Sequence, residues 1–146
     1  MSATVTPGQA LQDALAAEHA ATYLYGHLVG RTSTDRAPAL AEDLRAGYVV
    51  HRARRDQVAR LVRDDGRTPV AAEPAYTLPV GVDTPAGARR FAADLESRCC
   101  EVYAVAVGAT WGASRQWALG ALLESALRAV ALGATPSVWP GLPERS

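Results

Sequence analysis

Three observations predict an all-α protein built as a four-helix bundle. Four segments carry apolar residues at three- and four-residue spacing. The composition favours Ala, Leu and Arg, which are good helix formers, and contains no Ile. One long Pro-punctuated stretch separates the second segment from the third. A chain of 146 residues suits one domain, residues 1–146, with a proper core.

The first helix is predicted from Thr6-Pro7, a cap residue followed by Pro in the first turn, to about Gly30. Leu11, Leu15, Glu18, Thr22, Tyr25 and Val29 form its seam, so a carboxylate sits mid-seam. A short loop to Pro38 follows. The second helix is predicted to about Asp65, with Leu40, Leu44, Tyr48, His51, Val58 and Val62 on one side and Gly66 as its stop. Arg54 and Arg55 flank that side one turn beyond His51, while Arg45, Arg52 and Arg63 lie on an outer face.

From about 66 to 84, Pro69, Pro74, Pro79 and Gly81 exclude continuous helix. A helix of about 25 residues is about 37 Å long, and an extended stretch of this size reaches roughly 60 Å, enough to travel the bundle's length. Thr84-Pro85 opens a third helix to about Gly108, with Ala88, Phe91, Leu95, Cys99, Val102 and Ala106 inward. After a short turn, a fourth helix runs from about Ser114 to Gly133, with Leu119, Leu122, Leu123, Ala126, Leu127 and Val130 as its predicted buried face. Residues 134–146 carry Pro136, Pro140 and Pro143 around Trp139, a non-helical tail expected to dock its indole on the bundle. Two tight hairpins joined by one long crossover make helices 2 and 3 parallel, which is ferritin-like connectivity.

Fifteen acids balance fifteen Arg, with no Lys, which argues against a nucleic-acid partner. The longest uncharged stretch, Ala129 to Pro143, is broken by prolines and is short of the roughly 20 residues that span a bilayer. No membrane association is expected, the first residues do not read as a signal peptide, and a cytoplasmic location follows as the default. Cys99 and Cys100 are adjacent and read as free thiols, Cys99 buried and Cys100 facing outward.

The polar residues nearest the four helix midpoints are Glu18, His51, Glu96 and Glu124. Ferritin-like carboxylate bundles build a two-metal site from one Glu on each of two helices and Glu-x-x-His on each of the others. Here Tyr48 stands where a Glu should precede His51, and Leu127 where a His should follow Glu124. Helical phase puts Glu18 and His51 near the centre of their stripes, Glu96 at the boundary of its own, and Glu124 on a wet face paired with Arg128. Glu18, His51 and Glu96 could hold one weakly bound iron or manganese ion. Weighed against that, and preferred to it, is a buried hydrogen-bonded network of the same residues with Arg54, Arg55 and Tyr48, needing no cofactor. No catalytic Cys-His pairing is visible.

Ala17-Glu18-His19-Ala20-Ala21-Thr22-Tyr23-Leu24-Tyr25-Gly26, His51-Arg52-Ala53-Arg54-Arg55-Asp56, Glu73-Pro74-Ala75-Tyr76, Leu95-Glu96 with Tyr103, and Trp139-Pro140-Gly141 form a combination spread over nearly the whole chain. It resembles an uncharacterised ferritin-like family, a domain of unknown function of high-GC Gram-positive bacteria. The resemblance implies the four-helix ferritin-like fold and supplies no reaction. The broader ferritin and ribonucleotide-reductase-like superfamily binds two irons, and this chain departs from it at Tyr48 and Leu127.

The functional expectation is therefore a non-enzymatic bundle with a degenerate metal centre. The alternative is an oxidative or metal-handling protein with a reduced site. Ala21, Leu24 and Leu28 lie beyond the first seam, and Trp111 and Trp117 bracket the start of helix 4. Left exposed together they would join two copies as a homodimer; otherwise the crossover and the Trp139 tail cover them. His19 and His27 lie off the seam and read as boundary residues.

Overall fold

The computed structural model describes residues 4–142. Among them are four helices and no strand: α1 Pro7–Arg31, α2 Pro38–Asp64, α3 Pro85–Ala109 and α4 Gly112–Ala131. Both predicted cap-then-Pro starts form, since Thr6 and Thr84 accept side-chain hydrogen bonds from the backbone N–H of Gln9 and Gly87. α4 begins earlier than the sequence suggests. Only Thr110 and Trp111 separate it from α3, and Gly112 takes the positive φ of 55° that so tight a reversal needs.

Cross-contacts fix the topology. Gln12 on α1 donates to the Thr68 carbonyl and accepts from the Val70 N–H, Tyr23 packs on Tyr76, and Arg31 pairs with Asp83. The crossover thus runs along α1 from its start to its end, and α3 enters antiparallel to α1 and parallel to α2. This is the connectivity predicted from loop length. His19 also contributes, placing Nε2 3.0 Å from the Val70 carbonyl.

The crossover decides between the two alternatives for the edge of α1. Ala21, Leu24 and Leu28 are buried rather than forming a free edge, because Tyr76, Leu78 and Val82 pack into the same cluster. Trp117 is half-covered, edge-on to Tyr103, with its indole N–H donated to Gln57; Trp111 stays exposed. The tail docks against α3. Gly141, with φ of 78°, lies so close to the Cys100 carbonyl on α3 that any Cβ there would collide with it. The Trp139 indole remains half-exposed.

α4 is turned the other way from its predicted orientation. Its buried residues are Ala118, Ala121, Ser125 and Ala129, while Leu119, Leu123, Leu127 and Val130 are exposed. Small residues let α4 lie close against α3, and its leucines consequently point away from the core. Cys100 is likewise buried, its thiol directed at the Leu122 carbonyl, because the face of α3 it occupies is the one α4 covers.

The two hairpins repeat one another. Thr6, Pro7, Glu18, Tyr25, Leu28 and Thr32 recur as Thr84, Pro85, Glu96, Tyr103, Ala106 and Thr110, a constant offset of 78 residues. The local structure repeats with them: Thr32 and Thr110 both bond through N–H and hydroxyl to the carbonyl four residues back. The second helices follow at an offset of 74, so Leu44, Gly47, His51 and Arg54 correspond to Ala118, Ala121, Ser125 and Arg128.

Candidate functional site

At mid-bundle, α1, α2 and α3 bring Glu18, His51 and Glu96 together, all with no solvent exposure. His51 Nδ1 lies 2.7 Å from Glu18 Oε2 and Nε2 lies 3.1 Å from Glu96 Oε1. Two ionised carboxylates can only accept, so both ring nitrogens donate and the ring is an imidazolium. Burial alone would lower the His51 pKa, but the hydrogen bonds and charges of Glu18 and Glu96 outweigh it and raise it to about 9. The converse holds at Glu96. Burial pushes its pKa up, and the bond to and charge of His51, with the Tyr25 hydroxyl, bring it below the ordinary carboxylate value.

Two tyrosines complete the centre. Tyr25 donates to Glu96 Oε1 at 2.6 Å and stacks on the His51 ring, with centroids 5.2 Å apart, while Tyr103 donates to Glu18 Oε1. Each helix of the α1/α3 pair therefore gives its Tyr to the other's Glu, the reciprocal pattern a two-fold relation between the repeats produces. His51 breaks that symmetry. Its counterpart on α4 is Ser125, so one imidazolium serves both carboxylates.

The remaining positive charge comes from Arg54 and Arg128. Arg128 Nε lies 3.2 Å from Glu96 Oε1. Arg54, nearly buried, donates to the Ser125 hydroxyl at 2.8 Å and to Glu124 Oε2 at 2.7 Å, with its guanidinium 5.6 Å from the centre of the Tyr103 ring. Burial disfavours its charge, and the surroundings that include Tyr103, Glu124 and Glu18 keep it firmly protonated.

Several expected placements are corrected. Arg55 lies outside the network, bonded to its neighbour Asp56 and a third exposed, because one residue along a helix is a turn of about 100° from Arg54. Tyr48 is half-buried beside Gly26 and makes no hydrogen bond into the centre. Glu96 is central rather than at a boundary. Glu124 pairs with Arg54, not Arg128, since the reversed face of α4 aims Arg128 inward at Glu96. Sequence spacing puts Tyr25 on the α1 seam but assigns no part in the site to it or to Tyr103, Ser125 and Arg128, all of which meet at the centre. The 78- and 74-residue repeat is the signal that pairs them with Tyr103, Tyr25, His51 and Arg54.

Iron or manganese fits this donor set poorly. A metal ligand needs an imidazole lone pair, and both nitrogens of His51 carry protons held between carboxylates on opposite sides of the ring. Among the described residues no cluster of three or more His, Cys, Asp or Glu side chains has a metal-binding arrangement. Among the described residues three buried side-chain polar atoms lack a hydrogen bond: Glu96 Oε2, Arg128 Nε and Thr22 Oγ1.

Comparison with known proteins places the chain. Residues 10–144 match the model of a family described as a domain of unknown function, DUF4439. The chain belongs to that family. It is also similar to a solved structure, a conserved hypothetical protein, rv2844, from Mycobacterium tuberculosis. The two share 32% identity over 86% of this chain and 93% of the other, with a TM-score of 0.78. No curated protein matches. Among the described residues no helix is long and apolar enough to cross a membrane.

Proposed function

We propose that this DUF4439 member is a non-catalytic, ferritin-like bundle whose metal centre has been replaced by a carboxylate–imidazolium–carboxylate core. The observation that carries the reading is the double engagement of His51, which puts a fixed proton-borne charge where a cation would otherwise neutralise Glu18 and Glu96. Arg128 supplies the second positive charge, so the two buried carboxylates are balanced without a cofactor. In this reading the network sets the register of four helices, and function resides in the surfaces that the bundle holds rigid.

Elemental analysis of protein purified without chelator tests it. The expected result is no stoichiometric iron, manganese or zinc. Stoichiometric metal that is lost in Glu18→Ala and His51→Ala would overturn it.

One observation favours a second reading, a reduced iron- or manganese-handling site. Glu96 Oε2 is buried with no hydrogen bond, a spare donor beside His51. That reading requires His51 to lose a proton and release one carboxylate. Titration with Fe(II) or Mn(II) would then depress the apparent pKa of His51 and release one proton per ion.

A further inference from the structure

The corresponding outer faces of α2 and α4 differ in a way the repeat makes visible. On α2 that face carries Glu42, Arg45, Val49, Arg52, Ala53 and Asp56, a solvated, charged surface. The equivalent positions on α4 are Gln116, Leu119, Leu123, Ala126, Leu127 and Val130. Leu119, Leu123, Leu127 and Val130 are 45, 55, 73 and 41% exposed. A groove of about 620 Å³ between α3, α4 and the tail continues this surface, bounded by Leu123, Leu127, Val130 and the half-exposed Trp139.

We propose that this face of α4 joins two copies of the chain as an antiparallel helix pair about a two-fold axis near Leu123. The spacing suits that axis. Gln116, Leu119, Leu123, Ala126 and Val130 alternate by three and four, the seam pattern of paired helices. With Leu123 on the axis, Leu119 of one copy faces Leu127 of the other, and Gly120 faces Ala126. Gly120 costs helix stability where it stands, and nothing lies within 4 Å of the space its Cβ would fill, so it leaves room for a second backbone to approach.

Area and charge favour a second copy over other occupants. At roughly 160 to 250 Å² for a fully exposed large side chain, the four α4 residues and Trp139 leave about 500 Å² uncovered. Two copies then bury about 1,000 Å² before any polar rim is counted, the size from which specific interfaces begin. Exposed residues of both signs lie on these helices, with Arg115 and Glu124 on α4 and Glu101 on α3. A two-fold copy can satisfy mixed charge, whereas an anionic lipid surface selects a basic rim.

Sedimentation of the full chain across micromolar to millimolar concentration tests it. The expected result is twice the chain mass for the wild type and for Val49→Glu on α2, and a single-chain mass for Leu123→Glu and Leu127→Glu. Unchanged helical circular dichroism in the two α4 variants shows that they remain folded. Mild oxidation should cross-link Leu123→Cys into a dimer and leave Val49→Cys uncross-linked. A wild type of single-chain mass throughout overturns the proposal, as does a dimer that survives both α4 substitutions. Binding of the single chain to anionic vesicles through Leu123 and Leu127 would overturn it in favour of a lipid surface.

Discussion

Arg54 and Arg128 occupy equivalent positions in the two hairpins, yet they do different work. Arg128 faces Glu96 at 3.2 Å within its own hairpin, whereas Arg54 reaches across to Ser125 and Glu124 of the other. The difference follows from the exchange of His for Ser between the repeats. His51 already satisfies Glu18, so Arg54 is free to tie α2 to α4, a pair joined by few other contacts.

That role predicts a contrast between adjacent residues. Arg54→Ala removes the charged hydrogen bonds to Ser125 and Glu124 that link the hairpins, and should destabilise the fold by about 2 to 3 kcal/mol. Arg55→Ala removes a partly exposed pair with Asp56 and should change stability by under about 1 kcal/mol. Urea denaturation of the two variants distinguishes them, and equal losses would contradict the assignment of Arg54 to the core.

His51→Ala removes the imidazolium shared by two buried carboxylates and leaves Glu18 with no hydrogen-bonded cation. The expected loss is about 3 to 5 kcal/mol, the usual consequence of leaving a buried charge without its partner. Replacing Glu18, His51 and Glu96 together with Leu, Leu and Met should recover much of that loss, because no buried carboxylate is then left without a partner and Arg128, whose side chain is 21% exposed, keeps access to water. A triple variant no more stable than His51→Ala would show that the network is not the source of the deficit.

The centre also sets a pH window. The folded pKa of His51 is raised from 6.5 to about 9, so its stabilisation is complete below 6.5 and disappears as pH rises through about 9. Glu96 is shifted down from 4.5, so its contribution is complete above 4.5 and is lost as pH falls through its lower folded value. Stability should therefore be greatest between these limits. Thermal melts from pH 3 to 10, with NMR titration of the imidazole C–H, check both arms; a midpoint near 6.5 would contradict the imidazolium assignment.

Gly47 is a positional constraint on the same centre. A Cβ there would come within 2.3 Å of the Tyr25 ring, which is held between His51 and Glu96. Gly47→Ala should cost about 1 to 3 kcal/mol despite its better helix propensity, the usual penalty of overpacking. Near-ultraviolet circular dichroism would report the displaced tyrosine.

Burial and the neighbouring Glu96 push the Cys100 thiol up to about 11, and burial, with Glu18 and Glu96, raises Cys99 as well. Both should react with thiol reagents at pH 8 far more slowly in the folded chain than after denaturation. Rapid modification of one thiol in the native protein would place Cys100 at the surface.

The sequence by itself determined the four helices, because caps, prolines and apolar spacing are local signals that act within one turn. It also determined the crossover, whose length and prolines admit few alternatives, and it singled out Glu18 and His51, polar residues at the centre of apolar stripes. Tertiary structure alone decided how α4 is rotated. Apolar spacing assigns the largest side chains inward, but α3 accepts the small face of α4, and that shape match is absent from either helix read singly. From this rotation followed the burial of Glu96 and Cys100, the inward turn of Arg128 and the exposure of Leu119, Leu123 and Leu127. The partners of Glu18 and Glu96 were likewise decided across helices, since a hydroxyl seventy or more residues away is selected by packing distance and not by sequence spacing.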